Sequence, residues 1–335
     1  MKRVMPEEGE PHRRTWMAFG AGDRIWEPGQ VPVLQRNLAA IAAAVARFEP
    51  VTMLVRPDEL DLARGLLGDA AVELVAAELD DLWLRDTGPV FVTGDGELAA
   101  VDFNFTGWGG KQEHSRDSRV AGLVTGRAGA SAVHTGLVLE GGGIEVDGEG
   151  TAIITESCVL NENRNPGLSK QDAEAQLGEV LGLEKIIWLP GIAGHDITDG
   201  HTDFYARFAG PGVVVAGLDT DPDSYDHDVT RRHLDLLKSA ADARGRPLRV
   251  EVIKAPTRLR HESADADFAA GYINFYVCNG GVIAPEFGDR KADAAALATL
   301  RRLFPGRHVV QLDIDGIAAG GGGIHCTTQQ EPALR

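Results

Sequence analysis

The sequence repeats one supersecondary pattern about five times. In each copy a β-rich run meets a polar or glycine-rich break, a second β-rich run follows, and a helix usually comes next. The breaks lie 54, 61, 73 and 52 residues apart, at Asp86, Glu140, His201, Asn274 and Cys326. Small modules that recur at a period of roughly 60 residues favour a radial or solenoid architecture. No low-complexity linker divides the chain, so the sequence predicts a single domain over residues 1–335.

Strands and helices alternate from end to end, which predicts an α/β fold. Apolar residues at helical spacing predict helices over 33–48, 58–67, 169–181, 223–244 and 289–304. Runs rich in β-branched and aromatic residues predict strands over 51–56, 90–93, 151–155, 185–189, 213–217, 249–253, 272–277 and 308–312. Ser169, Asp223 and Asp289 carry the side-chain acceptors that are typical of helix N-caps.

The acidic balance of the chain limits its partners. With 50 Asp+Glu against 33 Lys+Arg, the formal net charge is −17, which repels phosphates and favours small cations as ligands. The longest apolar run, 38–46, is about half of the roughly 20 residues that a membrane-spanning helix needs. The N-terminus lacks an apolar signal-peptide core, and three widely spaced cysteines suit a reducing compartment. The sequence therefore predicts a cytoplasmic protein with no nucleic-acid or membrane partner.

Five ionisable side chains lie within nine positions, at His195, Asp196, Asp199, His201 and Asp203. In one interpretation Asp199, His201 and Asp203 ligate a divalent metal pair, as in manganese hydrolases that release urea from guanidino compounds. In the other, His201 is a general acid/base and Asp203 holds a cationic substrate. A dinuclear site needs further ligands from other strands, and no second Asp-x-His pattern is found in the sequence. This favours the interpretation without a metal.

The segment 80–89 contains an Arg-Asp pair between two apolar runs. In one interpretation Arg85 and Asp86 form a salt-bridged turn. In the other, Asp86 is a carboxylate at a strand end beside the aromatic face of Trp83, where a guanidinium or ammonium group can bind. The residues alone leave both interpretations open.

Cys326 follows four glycines in the segment 320–330. A cysteine becomes a nucleophile as its thiolate, which a neighbouring positive charge or imidazole favours. If this segment is a strand, His325 points away from Cys326 because adjacent side chains alternate faces. We therefore expect His201 to be the imidazole near the thiol. Cys158 and Cys278 lie within apolar runs, which suits buried structural cysteines.

Nine motifs together resemble the agmatine deiminase family of the guanidine-modifying superfamily, and they span nearly the whole chain. They are Trp83-x-Arg-Asp-Thr-Gly-Pro89, Phe103-Asn-Phe-Thr-Gly-Trp-Gly-Gly-Lys111, Leu139-Glu-Gly-Gly, Asp147-Gly-Glu-Gly-Thr151, Asn161-x-Asn-Arg-Asn-Pro166, Asp199-Gly-His-x-Asp203, Tyr272-Ile-Asn-Phe-Tyr276, Asn279-Gly-Gly-Val-Ile283 and Gly320-Gly-Gly-x-Ile-His-Cys-x-Thr-Gln-Gln330. The resemblance implies a five-bladed α/β propeller (pentein) of ββαβ modules around a central active site. This agrees with the five repeats.

The resemblance also implies roles for four of the break residues and for Asp203. Cys326 is expected to be the nucleophile, His201 the general acid/base, Asp86 and Asp203 the carboxylates that hold the guanidinium, and Glu140 the residue that orients His201. Agmatine would then become N-carbamoylputrescine and ammonia through an S-alkylthiouronium adduct on Cys326. This chemistry requires neither a metal nor an organic cofactor.

Departures from the family pattern concern the substrate's far end. Ile197 stands where the family has an acidic residue near the substrate amino group, and Asp196 and Asp199 flank it as candidate replacements. Gly323 stands where asparagine is usual, and Glu145 where histidine is common. These changes leave the deimination residues intact and concern the choice of substrate.

The resemblance adds Trp83 and Trp108 to the candidate substrate-binding residues, together with Asp86, Asp203, Asp196, Ile197 and Gly323. The expected partner is a small cationic guanidino substrate, and the expected assembly is a homo-oligomer, a dimer or larger. The same chemistry on arginine, peptidyl arginine or another alkylguanidine is one alternative. A propeller that only binds a partner, without catalysis, is the other.

Overall fold

Five small mixed β-sheets organise the chain in a computed structural model that describes residues 3–22, 25–260 and 268–334. The strands are β1 His12–Phe19, β2 Val51–Val55, β3 Val72–Ala76, β4 Val90–Gly94, β5 Glu97–Asp102, β6 Ser131–His134, β7 Ile144–Val146, β8 Thr151–Thr155, β9 Lys185–Leu189, β10 Ala206–Phe208, β11 Val213–Leu218, β12 Arg249–Lys254, β13 Tyr276–Cys278, β14 Gly281–Glu286, β15 His308–Asp313 and β16 Thr328–Pro332. The helices are α1 Val31–Val45, α2 Leu60–Leu67, α3 Leu84–Thr87, α4 Val120–Ala128, α5 Glu156–Val159, α6 Lys170–Leu181, α7 Asp226–Ser239, α8 Arg290–Leu303 and α9 Asp315–Ala318.

Four of the sheets are one module each, with three strands in chain order. They are sheet 1 (β4–β6), sheet 2 (β7–β9), sheet 3 (β10–β12) and sheet 4 (β13–β15). In each, the first strand is antiparallel to the second, and a helical connection leads to a third strand parallel to the second. A parallel neighbour requires such a crossover, so the ββαβ order follows from the strand directions.

The fifth module is assembled from both ends of the chain. In sheet 5, β16 is antiparallel to β1, with Thr15 opposite Gln330, and β1 is parallel to β2, with Met17 opposite Met53. An additional strand, β3, extends this sheet beyond β2. This module therefore takes its first strand, β16, from the last part of the chain and its other strands from the first part.

Hydrophobic clusters connect each sheet to two others and close a ring. One cluster joins sheets 5 and 1, a second joins sheets 1 and 2, a third joins sheets 2 and 3, and the largest joins sheets 3, 4 and 5. Adjacent strand residues face opposite sides, so Trp16 and Met17, or Ile153 and Ile154, belong to different clusters. The fivefold α/β architecture predicted from the sequence is confirmed.

Most predicted elements occur close to their expected bounds. All five predicted helices form, and Ser169 and Asp289 accept hydrogen bonds at their N-termini as expected. The prediction for Asp223 was wrong, because α7 begins only at Asp226 with Tyr225 in the capping position. That helix also ends at Ser239, since the Asp242 carboxylate accepts from the following backbone N–H groups and turns the chain.

The predicted strand 272–277 was wrong in its first half. The segment before Tyr276 is a turn, in which Asn274 N–H donates to the Gly271 carbonyl. The described strands β1, β3, β5, β6, β7, β10, β14 and β16 were not predicted, and neither was α4. For β6, β7 and β10 the reason is their length, because strands of three or four residues carry little periodicity. Within the described residues, no helix is long and apolar enough to cross a membrane.

Candidate active site

The five polar breaks occupy the same place in every module, directly before its first strand. Asp86 lies in α3, Glu140 and His201 precede the 3-10 turns Gly141–Gly143 and Thr202–Phe204, Asn274 precedes β13, and Cys326 lies in the 3-10 turn His325–Thr327. The ring of sheets brings these turns together. The five repeated breaks in the sequence therefore mark residues that lie together in one site.

The break side chains contact one another at the centre of the ring. His201 Nε2 lies 3.2 Å from Glu140 Oε2, and His201 Nδ1 lies 3.7 Å from Asp86 Oδ2. The Asn274 amide nitrogen lies 3.2 Å from Cys326 Sγ. All five side chains are buried, Cys326 and Asp86 each to 6% exposure.

A cavity of about 220 Å³ reaches this centre. Its lining includes the predicted residues Trp83, Asp86, Trp108, Ile197 and Cys326. The other lining residues are Ile25, Trp26, Gln30, Asp81, Gln112, Thr198, Phe204, Ala319, Gly320, Gly321 and Gly322. The structure thus places a thiol, a carboxylate and aromatic side chains around one space that a small molecule can enter.

Two of the predicted tail-binding residues do not line this cavity. The Asp196 carboxylate accepts hydrogen bonds from the backbone N–H groups of Thr198 and Gly200, which shape its own loop. Gly323 lies behind the nucleophile, where a side-chain carbon would collide with the Asn274 amide. Glycine is required there by this close approach.

His201 does not itself line the cavity; it lies between Asp86, which does, and a buried ion pair. Its Nε2 faces Glu140, and Arg164 Nε donates to the other oxygen of Glu140 over 2.9 Å. Burial disfavours a charged imidazole, but Asp86, Cys158 and Glu140 together raise the pKa of His201 well above its usual value. Because Nε2 is engaged by Glu140, Nδ1, which lies 3.7 Å from Asp86 Oδ2, is the nitrogen left to exchange protons.

Asp203 is a buried carboxylate with one oxygen unused. Oδ2 contacts His325 Nδ1 at 2.8 Å, while Oδ1 has no hydrogen-bond partner among the described residues. Burial opposes ionisation, but the hydrogen bond and charge of His325 hold the pKa of Asp203 below its usual value. A buried, unpaired carboxylate oxygen is costly, and this atom retains the capacity to accept a hydrogen bond.

Asp86 provides the second carboxylate and is held by two donors. Gly142 N–H donates to Oδ1 and the Trp108 indole N–H to Oδ2, both over 3.0 Å. Trp108 adopts the left-handed region at φ 54°, a strained conformation that points to a functional constraint. Burial, and then the neighbouring charges of Asp203 and Glu140, raise the pKa of Asp86. A cationic ligand relieves this repulsion.

The Cys326 thiol lies 3.5 Å from Asp203 Oδ2. Burial and the charges of Asp203 and Asp86 raise its pKa well above the usual value, and hydrogen bonds from Gly323 and Asn274 oppose this only in part. The thiolate therefore needs a positive charge close by. A guanidinium between the two carboxylates would supply that charge.

A buried charge network beneath the site was not anticipated from the sequence. His325 Nε2 lies 2.9 Å from Glu8, whose carboxylate also binds Arg85 at 3.0 Å and Arg207 at 2.8 Å. Arg85 therefore pairs with Glu8, so it does not form the salt-bridged turn with Asp86. No local pattern marks Glu8, because its partners come from three different modules.

Glu145 and the two other cysteines contact buried groups of the protein and do not line the cavity. Glu145 is buried against Arg207 at 2.7 Å. Cys278 contacts the Gly281 carbonyl at the β13–β14 turn. Cys158 is fully buried, 3.6 Å from Glu140, and does not line the cavity. Cys326 is thus the cysteine that a ligand in the cavity can contact.

The metal interpretation of the 199–203 segment does not fit the geometry. Asp199 Oδ2 pairs with Lys111 at 2.7 Å and Arg164 at 2.6 Å, so it is not a ligand beside His201. Within the described part of the chain, Glu140, Cys158 and His201 are the three ligand-type side chains whose ligand atoms all lie within 4.8 Å of one another. The Arg164 cation already neutralises Glu140 there, which disfavours a divalent ion.

Comparisons with known proteins find relatives that match nearly the whole chain. The family described as Porphyromonas-type peptidyl-arginine deiminase matches residues 4–332. A Streptomyces coelicolor relative is 47% identical over 98% of both chains, and an agmatine deiminase of Pseudomonas aeruginosa is 40% identical over 99% of this chain and 96% of the other. The solved agmatine deiminase of Enterococcus faecalis superposes with a TM-score of 0.93 at 32% identity, covering 100% of this chain and 97% of that one.

Proposed function

Because the chain belongs to the agmatine deiminase branch of the Porphyromonas-type peptidyl-arginine deiminase family, we propose that it hydrolyses agmatine to N-carbamoylputrescine and ammonia, with Cys326 as the nucleophile. It is a hydrolase of C–N bonds in amidines. The observation that carries the proposal is the buried Asp203 carboxylate, whose Oδ1 has no partner among the described residues and whose Oδ2 lies 3.5 Å from the Cys326 thiol.

Substrate binding activates the nucleophile. The planar guanidinium donates to the oxygens of Asp86 and Asp203, which fixes its carbon next to Cys326. Its positive charge offsets the two carboxylates that raise the thiol pKa, so the thiol loses its proton to solvent and Sγ attacks the guanidinium carbon. Orientation of the substrate and electrostatic complementarity contribute most of the lowering of the activation barrier, because this carbon is a poor electrophile.

His201 transfers the protons of the two following steps. Protonated at Nδ1, it donates to one amino group of the tetrahedral adduct, the C–N bond breaks, and ammonia leaves an S-alkylthiouronium on Cys326. Neutral His201 then takes a proton from water, whose oxygen adds to the same carbon. The C–S bond breaks, the hydroxyl proton of the adduct passes to the thiolate, and the urea-type product is released.

The test is ammonia release with identification of the product by mass spectrometry. The panel contains agmatine, L-arginine, an internal arginyl peptide and 4-guanidinobutyrate, with wild type and Cys326→Ala. Cys278→Ala is the matched control, since Cys278 is buried at a strand turn away from the cavity. We expect N-carbamoylputrescine from agmatine with wild type and the control, and none with Cys326→Ala. Failure to form any ureido product from any of the guanidines would refute the proposal.

The same panel tests the alternatives. Turnover of arginine or peptidyl arginine in place of agmatine would keep the chemistry and change the substrate. A binding protein without catalysis is disfavoured by the retention of Cys326, His201, Asp86, Asp203 and Glu140 in one contact network. We also propose a cytoplasmic homo-oligomer, a dimer or larger, whose net charge of −17 favours a small cationic substrate.

A further inference from the structure

A second carboxylate, that of Asp81, lines the cavity besides Asp86. Asp81 is 1% exposed. The Trp26 indole N–H donates to its Oδ1 over 2.8 Å and Leu82 N–H donates to the same oxygen over 2.9 Å, while the Gln112 amide donates to Oδ2 over 2.9 Å. These donors are all uncharged, and within the described ranges no lysine, arginine or histidine is paired with Asp81.

The negative charge of Asp81 is therefore not neutralised by the described residues around it. Burial raises the pKa of Asp81 to about 6, although hydrogen bonds from Trp26, Gln112, Leu82 and Trp83 oppose the rise. At about pH 8 the carboxylate is still ionised. Neutral donors stabilise such a group but leave its net charge, which attracts a cation more strongly in a buried cavity than in water. A positive charge that enters the cavity is thus stabilised by Asp81.

The loop that carries Ile197 supplies no such charge to the cavity. Asp196 accepts from the backbone N–H groups of its own turn. Asp199 is neutralised by its ion pairs with Arg164 and Lys111. Neither acidic neighbour of Ile197 lines the cavity, so the carboxylate that can face a cationic substrate tail comes from a different module.

The glycine-rich segment before Cys326 shows where Asp81 lies relative to the nucleophile. A side-chain carbon at Gly320 would collide with the Trp26 ring, and one at Gly322 would collide with the Trp83 ring. The chain that leads to Cys326 therefore passes Trp26 first and Trp83 second, and the centroids of these two rings lie 6.2 Å apart. Because Asp81 is bonded to Trp26, it belongs to the part of the wall that this segment reaches before the nucleophile.

We propose that Asp81 binds the ammonium group at the far end of the substrate and is the residue that selects a cationic tail. The inference rests on the proposed deiminase function and names the specificity-determining residue of that site. Gln30, Gln112 and Thr198 line the same cavity, and their side-chain oxygens can accept further N–H groups of the ammonium. An uncharged tail would leave the Asp81 charge unpaired, and an anionic tail would be repelled by it.

The experiment compares three guanidines that differ in the charge of their tail. Agmatine ends in an ammonium, n-pentylguanidine carries a methyl group in its place, and 4-guanidinobutyrate ends in a carboxylate. Ammonia release at about pH 8 gives kcat/KM for each, and mass spectrometry identifies the ureas. For wild type we expect agmatine to be favoured over n-pentylguanidine by at least about tenfold, with 4-guanidinobutyrate the poorest substrate. A smaller preference for agmatine would overturn the inference.

Asp81→Asn tests the charge at nearly unchanged shape. Its kcat/KM for agmatine should fall at least about tenfold, while that for n-pentylguanidine should stay within about threefold of wild type. Asp293→Asn is the matched control, because Asp293 is a buried carboxylate that accepts from the Tyr272 hydroxyl outside the cavity. An equal loss for both substrates in Asp81→Asn would assign Asp81 a structural role in holding Trp26 and would overturn the inference.

A second pair of variants leaves Asp81 in place and decides the question if Asp81→Asn fails to fold. Gln112→Lys replaces an uncharged donor to Asp81 by a cation, and should lower the preference for agmatine over n-pentylguanidine at least about tenfold. Gln112→Met, of similar length but uncharged, should change this preference by less than about threefold. Equal effects in the two variants would contradict the electrostatic argument.

Failure of this inference is distinguishable from failure of the proposed function. Turnover of agmatine that depends on Cys326 and keeps its preference over n-pentylguanidine in Asp81→Asn would refute the role of Asp81 and retain the deiminase. Absence of turnover for every guanidine with wild type would refute the deiminase itself.

Discussion

Replacing Asp203 by Asn should slow turnover and yet make the Cys326 thiol more reactive. Asp203 Oδ2 accepts from His325 Nδ1 over 2.8 Å, and Oδ1 lies free in the site. In Asp203→Asn the amide oxygen would keep the bond to His325. The amide nitrogen would then occupy the position of Oδ1, where its N–H groups face the N–H groups of the guanidinium.

The magnitude follows from the loss of one partner in a buried, hydrogen-bonded charge pair. Such losses cost about 2–5 kcal/mol, which corresponds to a fall in kcat/KM of roughly 30- to 5000-fold at 1.36 kcal/mol per decade. The thiol should respond in the opposite direction. The charge of Asp203 contributes to the raised pKa of Cys326, so its removal lowers that pKa and increases the thiolate fraction.

Two assays on the same protein measure the two effects. Steady-state ammonia release gives kcat/KM, and the rate of iodoacetamide alkylation at pH 8 without substrate reports the thiolate, with Cys326→Ala identifying the site. Asp293→Asn is the matched control, because Asp293 is a buried carboxylate that accepts from the Tyr272 hydroxyl outside the cavity. Slower turnover together with slower alkylation in Asp203→Asn would refute this electrostatic account of the site.

Three further changes test other parts of the site and its support. Glu140→Gln should lower the pKa of His201, since Glu140 helps to raise it, and the alkaline limb of the pH profile of kcat should therefore move to lower pH. Loss of a hydrogen bond to a charged group costs about 1.5–3 kcal/mol, so kcat should fall roughly 10- to 150-fold. Gly142→Ala places a carbon 2.6 Å from His201 Nδ1 and should reduce kcat at least about 100-fold, while the circular dichroism spectrum stays that of the folded protein. Gly122→Ala, whose added carbon meets open space, should leave kcat unchanged. His233 is buried with its pKa lowered to about 4, so on acidification the unfolded state binds a proton before the folded state does. The free energy of unfolding should therefore fall by about 3 kcal/mol as the pH drops from about 6.5 to 4. In His233→Gln, Tm should decrease less over this pH range than in wild type, and an equal decrease would contradict the assignment to His233.

The sequence predicted the modules well because their signals are local. Helices such as α6 and α8 are indicated by the helical spacing of their apolar residues and by the N-cap acceptors Ser169 and Asp289. Buried strands such as Thr151–Thr155 are short runs of apolar and β-branched residues, since both of their faces are covered. Errors occurred where tertiary contacts overrode the local pattern, as at the end of α7, where Asp242 turns the chain.

The candidate site could be read from the sequence only in part. The five breaks were visible because the repeat returns a polar residue to the same place in each module. Their partners were not visible, since Glu8 and His325 act through contacts between modules far apart in the chain, and Arg164 reaches Glu140 from a loop 24 residues further along. The sequence also left open whether Arg85 pairs with Asp86, a question that the contact with Glu8 decides.

The sequence by itself determined the number of modules, their α/β composition and the chemical types of the groups at their breaks, because these depend on periodicity and local composition. Only the tertiary structure decided which charges pair, which carboxylate oxygen of Asp203 stays free, and that Asp196 and Asp199 are used by their own surroundings while Ile197 faces the cavity. The physical reason is that hydrogen bonds and ion pairs depend on distances of about 3 Å. Those distances are set when the ring of sheets closes, with β16 beside β1.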